Sequence, residues 1–182
     1  MGLVCKTPLQ IAMLASVYFI GYCIGGALFW LPDKIGRKRS VIISLSLSMM
    51  AETIMIFNAD YNVRMACFFF MGLFQIQNSA SYLWLYESVT RQKKPTAITV
   101  INVVYSLPQP VMCLYVVFIS KDWFQLVFWA LILGYVCLAI CFFCPESPQW
   151  LIVHGHRQEC IKALNRIARF NGRSHCTIPN DA

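Results

Sequence analysis

The sequence predicts an all-α, multi-pass transmembrane helical bundle of five spans, and three observations predict it. Of its 182 residues, 58% are hydrophobic and 13% are charged, with a positive mean hydropathy, which is too apolar for an ordinary soluble domain of this length. The apolar residues gather into runs of about 20 residues, the length an α-helix needs to cross a bilayer. The charges gather in the short links between those runs, where side-of-membrane rules apply.

The first run, Leu9 to Leu31, follows an outer N-terminal stub of residues 1–8. It is of span length and ends in a basic loop, with no small-residue cleavage site, so it reads as a membrane helix and not a signal peptide. Gly21, Gly25 and Gly26 are expected to be helix-packing positions. The loop that follows, Asp33-Lys34-Ile35-Gly36-Arg37-Lys38-Arg39, has six charged or glycine residues among its seven. The second run, Ser40 to Phe57, carries Glu52. The third, Met65 to Tyr86, carries Gln75, Asn78 and Tyr82 at i, i+3 and i+7, one helical stripe. The fourth, Thr96 to Ser120, carries a similar stripe of Asn102, Tyr105 and Gln109, beside Pro108 and Pro110, which should kink it. The fifth is Trp123 to Cys144. Unpaired backbone cannot face lipid, and no alternating ten-residue pattern suggests a barrel, so all five runs are expected to be helices within a membrane region of residues 9–144.

The remaining residues, 145–182, form a tail of another kind. Pro145-Glu146-Ser147-Pro148 breaks the helix, and Trp150 to Val153 is suited to the membrane interface. From Gln158 to Phe170, Ile161, Leu164, Ile167 and Ala168 recur at helical spacing opposite Lys162, Arg166 and Arg169, with Asn171-Gly172 as the expected C-cap. This amphipathic helix lies either on lipid or on protein.

Charge sets the expected orientation. Twelve of the fifteen Lys and Arg residues fall in the loop after the first span, the loop after the third (Arg91, Lys93, Lys94) or the tail. Lys6, Arg64 and Lys121 fall on the opposite side. The positive-inside rule then places the N-terminus outside and the tail in the cytoplasm.

Several function classes are excluded by the same reading. A net charge of +7 can signal nucleic acid, but here the cations sit in short loops and not on one polar face, so no nucleic-acid partner is expected. Most of the nine cysteines lie inside apolar runs, where cysteine behaves as a small hydrophobe. Cys141 and Cys144 form a C-x-x-C without a second pair or histidine set, so no metal site is expected. No nucleophile and base pair or phosphate loop is evident, so neither an enzyme nor a cofactor is expected.

The loop at Asp33 to Arg39 resembles the G-x-x-x-D-x-x-G-R-[KR] loop of major facilitator superfamily transporters. Pro145-Glu146-Ser147-Pro148-Gln149-Trp150-Leu151 is similar to the P-E-S-P-R-W-L that follows the sixth helix in sugar porters and organic ion transporters. Leu3-Val4-Cys5, together with Gly155 to Arg173 in the pattern G-x-x-x-E-x-x-x-A-L-x-x-I-A-x-x-N-G-R, resembles the organic cation and anion transporter branch. Two departures stand out: Phe29 occupies the first glycine position, and Gln149 replaces the arginine. The resemblance implies that this chain is helices two to six of such a fold, with helix one, most of the outer loop and the second six-helix half outside it.

The resemblance also implies roles. Asp33, Gly36, Arg37, Lys38, Glu87, Arg91 and Glu146 would form a cytoplasmic latch between conformational states; the alternative is that they are topogenic loop charges in water. Gln75, Asn78, Tyr82, Asn102 and Gln109 are candidates to line a substrate cavity, or else bond neighbouring helices. Glu52 either serves a cationic substrate or a proton, or reaches the interface near its span end. The implied function is secondary transport of a small organic solute, by an organic-ion-type carrier in membrane lipid. Five helices alone do not enclose a midplane site. The alternatives are therefore a truncated, non-transporting protein with an interaction or regulatory role, or a site completed by the missing transporter half or another copy.

Overall fold

A computed structural model describes residues 7–119 and 123–172 of the chain. Lys6, Lys121, Arg173 and the Leu3-Val4-Cys5 stretch lie outside the described residues. The helices run α1 Pro8–Ala27, α2 Leu31–Ile35, α3 Arg37–Phe57, α4 Tyr61–Leu73, α5 Ile76–Ser88, α6 Lys94–Ser106, α7 Pro108–Phe118, α8 Trp123–Phe143, α9 Pro148–Val153 and α10 Arg157–Phe170, with a 3-10 turn at Arg91–Lys93. No strand occurs among the described residues.

Local chemistry explains where α1 begins and where its run is cut short. Thr7 caps α1 in a capping box with Gln10, ahead of Pro8 in the first turn, so its orphan amides are satisfied where proline costs nothing. The predicted first span continues to Leu31. In the structure the helix closes at Ala27, the chain turns through Leu28 to Trp30, and a separate short helix α2 carries Pro32 in its first turn. Proline favours that fresh start because it has no amide to give a continuing helix.

The third predicted span differs most. In place of one helix over 65–86 there are two 13-residue helices, α4 and α5, separated by a turn at Phe74 and Gln75. Gln75 N–H bonds Gly72 O at 3.1 Å, and Asn78 N–H bonds Gln75 O at 3.1 Å. These i to i−3 bonds tighten the chain where α4 crosses α1 most closely. A Cβ on Gly72 would run into Tyr18 O, and one on Gly21 or Gly25 would run into Phe69 O or Leu73 O. Backbone meets backbone there, which only small residues allow. Gly26, by contrast, faces open space.

The fourth predicted span divides into α6 and α7 at Leu107 and Pro108. Pro108 and Pro110 have no amide hydrogens to reach Val104 and Ser106, so the helix ladder is interrupted as the prolines predict. Among the described residues, four stretches are long and apolar enough to cross a membrane: Pro8–Ala27, Arg37–Phe57, Arg91–Phe118 and Phe124–Phe143. The α4 and α5 pair covers the remaining predicted run, and neither half reaches span length by itself.

α3 is the hub. It packs on α4, α5 and α8, and it buries Ser40, Ser44 and Ser48 along one edge, small residues that let neighbours approach. On its other side Met49 and Ile56 pack with Leu131 of α8, and Thr53 bonds Tyr135 at 2.9 Å. α6 and α7 bury no residue, and α7 is apolar nearly all round, as suits a helix solvated by lipid. After α8, Leu151 of α9 packs with Cys160 and Ala163 of α10. Asn171 closes α10, and Gly172 follows with a positive φ of 68°, the left-handed exit that glycine permits.

Candidate functional site

Two charged segments more than a hundred residues apart meet at one end of the bundle. Gly36 turns the chain from α2 into α3 with φ 109°, a backbone state that side chains rarely adopt. It provides no side-chain cap for α3. Glu146 caps the helix from a distance: its Oε1 accepts Lys38 N–H at 2.8 Å and Ser147 N–H at 3.1 Å. A carboxylate at a helix N-terminus satisfies an orphan amide and complements the dipole. Its other oxygen stands 3.0 Å from where a Cβ on Gly36 would lie. Lys38 Nζ in turn donates to Phe142 O at 2.9 Å and Cys144 O at 2.7 Å, placing a cation on the C-terminal carbonyls of α8.

Arg37 opens the second half of the network. Its guanidinium pairs with Asp33 and with Glu87 of α5 at 3.3 Å. The Arg37 and Glu87 side chains are only 9% and 8% exposed, so this pair is held out of water, whereas Asp33 at 57% is not. Glu87 spends its other oxygen on Ser147, whose hydroxyl donates at 2.5 Å. The same hydroxyl accepts Trp150 N–H at 3.2 Å, capping α9. Arg37 Nε is buried without a hydrogen-bond partner among the described residues.

The structure therefore brings Asp33, Gly36, Arg37, Lys38, Glu87 and Glu146 together, joining α2, α3, α5 and the link between α8 and α9. Arg91 is exposed on the 3-10 turn and takes no part in these bonds. Ser147, Trp150 and Trp84 were not among the sequence candidates. Ser147 is fully buried, the Trp150 indole donates to Asp33 O at 2.7 Å, and the Trp84 indole donates to Pro145 O at 3.1 Å. Serine before proline, a favoured helix start, is the signal that points to Ser147. The two indoles bond backbone carbonyls, which leave no mark in a sequence.

A second feature lies along α5. A cleft of about 650 Å³ opens between α5 and α6, lined by Asn78, Tyr82, Leu85, Ile101, Asn102 and Tyr105 among others. The two predicted polar stripes thus meet across one cleft, with amide and phenol groups set in apolar walls, the composition suited to an organic solute. Gln75 sits before α5 and Gln109 lies exposed on α7; neither lines this cleft. Glu52 is half-buried on α3, with no ion pair among the described residues. The described residues contain no group of three or more His, Cys, Asp or Glu that could hold a metal ion.

Comparison with known proteins agrees with this architecture. The organic cation/carnitine transporter 2 of Rattus norvegicus is 27% identical over 173 residues, covering 93% of this chain and 31% of the relative. The beta-alanine transporter of Drosophila melanogaster is 32% identical over 174 residues, 94% of this chain and 28% of the relative. The organic cation transporter 1 of Caenorhabditis elegans is 26% identical over 179 residues, 97% and 30% respectively. The chain thus spans about 30% of the length of the curated relatives it matches. All three are transporters by name. With its long apolar helices, the chain is an integral, multi-pass membrane protein. Residues 6–169 match the sequence profile of the Major Facilitator Superfamily, the family to which this chain belongs.

Proposed function

We propose that this chain forms part of a secondary transporter that moves a small organic solute, an organic cation or zwitterion, by alternating access. The observation that carries the reading is the network from Asp33 to Glu146, which ties α2, α3, α5 and the link between α8 and α9 around the buried Arg37 and Glu87 pair. Such a cluster can be worth a few kcal/mol, comparable to the gap between two conformers, so making and breaking it can set which face is open. The cleft between α5 and α6 is then one wall of the solute path. Tyr82 and Tyr105 offer rings to a cation, while Asn78 and Asn102 orient polar groups. The basic loops and the tail belong to the cytoplasmic side and the N-terminus to the outer side, on the charge asymmetry already described.

The rival reading is a membrane protein that does not transport and acts through its helices on a partner. It is favoured by the single-sided cleft, whose lining comes from α5 and α6 alone. Uptake of labelled tetraethylammonium and carnitine into proteoliposomes of the purified 182-residue chain separates the two. Saturable uptake that Tyr82→Ala and Asn102→Ala abolish establishes transport by this chain. Flux equal to that of empty liposomes removes transport by this chain and leaves the interaction role.

A further inference from the structure

A groove of about 520 Å³ adjoins the α5 and α6 cleft along α5, sharing Leu85 with it, and is bounded by Trp84, Leu85, Val89, Pro145, Ile167 and Phe170. Three elements build it: the last turns of α5, the residues that follow α8, and the last turns of α10. Its walls are apolar because their polar atoms are already spent. The Trp84 indole is bonded to Pro145 O, and Ser88 Oγ donates to Trp84 O at 2.8 Å. The groove begins where α8 ends, at Cys144 and Pro145, so it stands at the level where a membrane span gives way to polar chain. Phe170 is 93% exposed beside it.

Two of the three elements carry exposed cations within a few residues of this lining. Val89 is followed by Arg91 and Lys93 on the 3-10 turn, both exposed, and on α10 Arg166 stands one turn before Phe170, with Arg169 next to it. None of these four makes an ion pair with an acidic side chain among the described residues. Lys94 differs, since its ammonium sits 3.9 Å over the Tyr86 ring. An apolar slot at span-end depth with such cations within a few residues of its lining matches one chemistry, a hydrocarbon tail joined to an anionic phosphodiester.

We propose that this groove binds an anionic phospholipid, one acyl chain lying against Trp84, Ile167 and Phe170 and the phosphate held by Arg91, Lys93, Arg166 and Arg169. The lipid would hold α10 to the ends of α5 and α8, beside the charge network. This goes beyond the transport reading and does not need it.

The test places the 182-residue chain in nanodiscs of phosphatidylcholine containing brominated phosphatidylglycerol or brominated phosphatidylcholine at equal mole fraction. Trp84 fluorescence is the difference between the wild type and Trp84→Phe. Brominated phosphatidylglycerol should quench it well beyond brominated phosphatidylcholine. The apparent preference should fall about fivefold for each cation removed in Arg91→Gln, Lys93→Gln, Arg166→Gln and Arg169→Gln, all of which keep Trp84. Retention of one phosphatidylglycerol through delipidation, read by native mass spectrometry and lost in the fourfold variant, gives a readout that does not depend on Trp84→Phe folding. Equal quenching by the two lipids would mean an ordinary lipid boundary. No quenching by either would mean that protein covers the groove. Each result overturns the proposal.

Discussion

Lys38 and Glu146 exchange helix caps: Glu146 accepts the backbone amide of Lys38 at the start of α3, and the Lys38 ammonium takes two carbonyls at the end of α8. One helix start and one helix end are thereby locked together by two residues that serve each other's elements. Glu146→Ala removes both the acceptor and the charge and should cost about 1–3 kcal/mol. Glu146→Gln keeps an acceptor oxygen and loses the dipole complement, so its cost should be nearer 0.5–1 kcal/mol. Detergent-titrated unfolding followed by circular dichroism checks the order, and equal losses would show that the acceptor oxygen kept by glutamine contributes nothing and the charge alone carries the cap.

The buried pair of Arg37 and Glu87 predicts a steeper penalty than its exposed neighbour. Arg37→Ala leaves Glu87 charged with only Ser147 as a bonded partner, and breaking one side of a buried pair costs about 3–5 kcal/mol. Asp33 is more than half exposed, so Asp33→Ala should cost less than about 1 kcal/mol in stability. If the cluster acts as a latch, Asp33→Ala still shifts the inward and outward balance. A membrane-impermeant thiol probe at an introduced cysteine in the α5 cleft reads that shift, and unchanged accessibility would count against the latch.

Most of the helical framework is legible in the sequence because length and polarity decide it. Apolar runs end where charge or proline begins, and Pro108 with Pro110 marks the division of α6 from α7. The turn at Phe74 and Gln75 is not legible, since neither residue is a helix breaker. It arises where α4 meets α1, and that crossing depends on Gly21, Gly25 and Gly72 from separate elements. The charged positions Asp33, Arg37, Glu87 and Glu146 stand out because charge is rare here. Their connector Ser147 is marked only as a serine before proline, a helix start; its bond to Glu87 is not legible, because it depends on how α5 meets the start of α9. The groove beside Trp84 is equally hidden, being assembled from three elements by bonds to backbone carbonyls.

The glycine crossing between α1 and α4 predicts a contrast within one helix. Gly21→Ala and Gly25→Ala place a methyl where Phe69 O and Leu73 O already stand. The helices must separate, and overpacking of this kind costs about 1–3 kcal/mol. Gly26→Ala meets nothing and gains helix propensity, so it should be neutral or stabilising by up to about 1 kcal/mol. Thermal unfolding of the three variants in one detergent checks this, and equal effects at Gly25 and Gly26 would refute the crossing geometry.

Cys160 reports whether α10 stays docked on α9. Its side chain is fully buried against Leu151 and Ala163, and burial pushes its thiol above the ordinary thiol value. Below that value both docked and undocked states hold the proton, so docking is indifferent to pH. As pH rises past it, the undocked thiol ionises while the docked one stays protonated; the undocked state then binds fewer protons, and docking weakens. Maleimide modification of the Cys160 peptide, read by mass spectrometry, should therefore be slow at neutral pH. It should rise in alkali more steeply than thiolate formation alone predicts, since opening becomes easier as well. Leu151→Ala removes a contact that is 2% exposed, and a core truncation of this kind costs about 2–5 kcal/mol. That variant should bring rapid labelling down to neutral pH. Labelling of the wild type at neutral pH as fast as in denaturant would show that α10 is not held by this core.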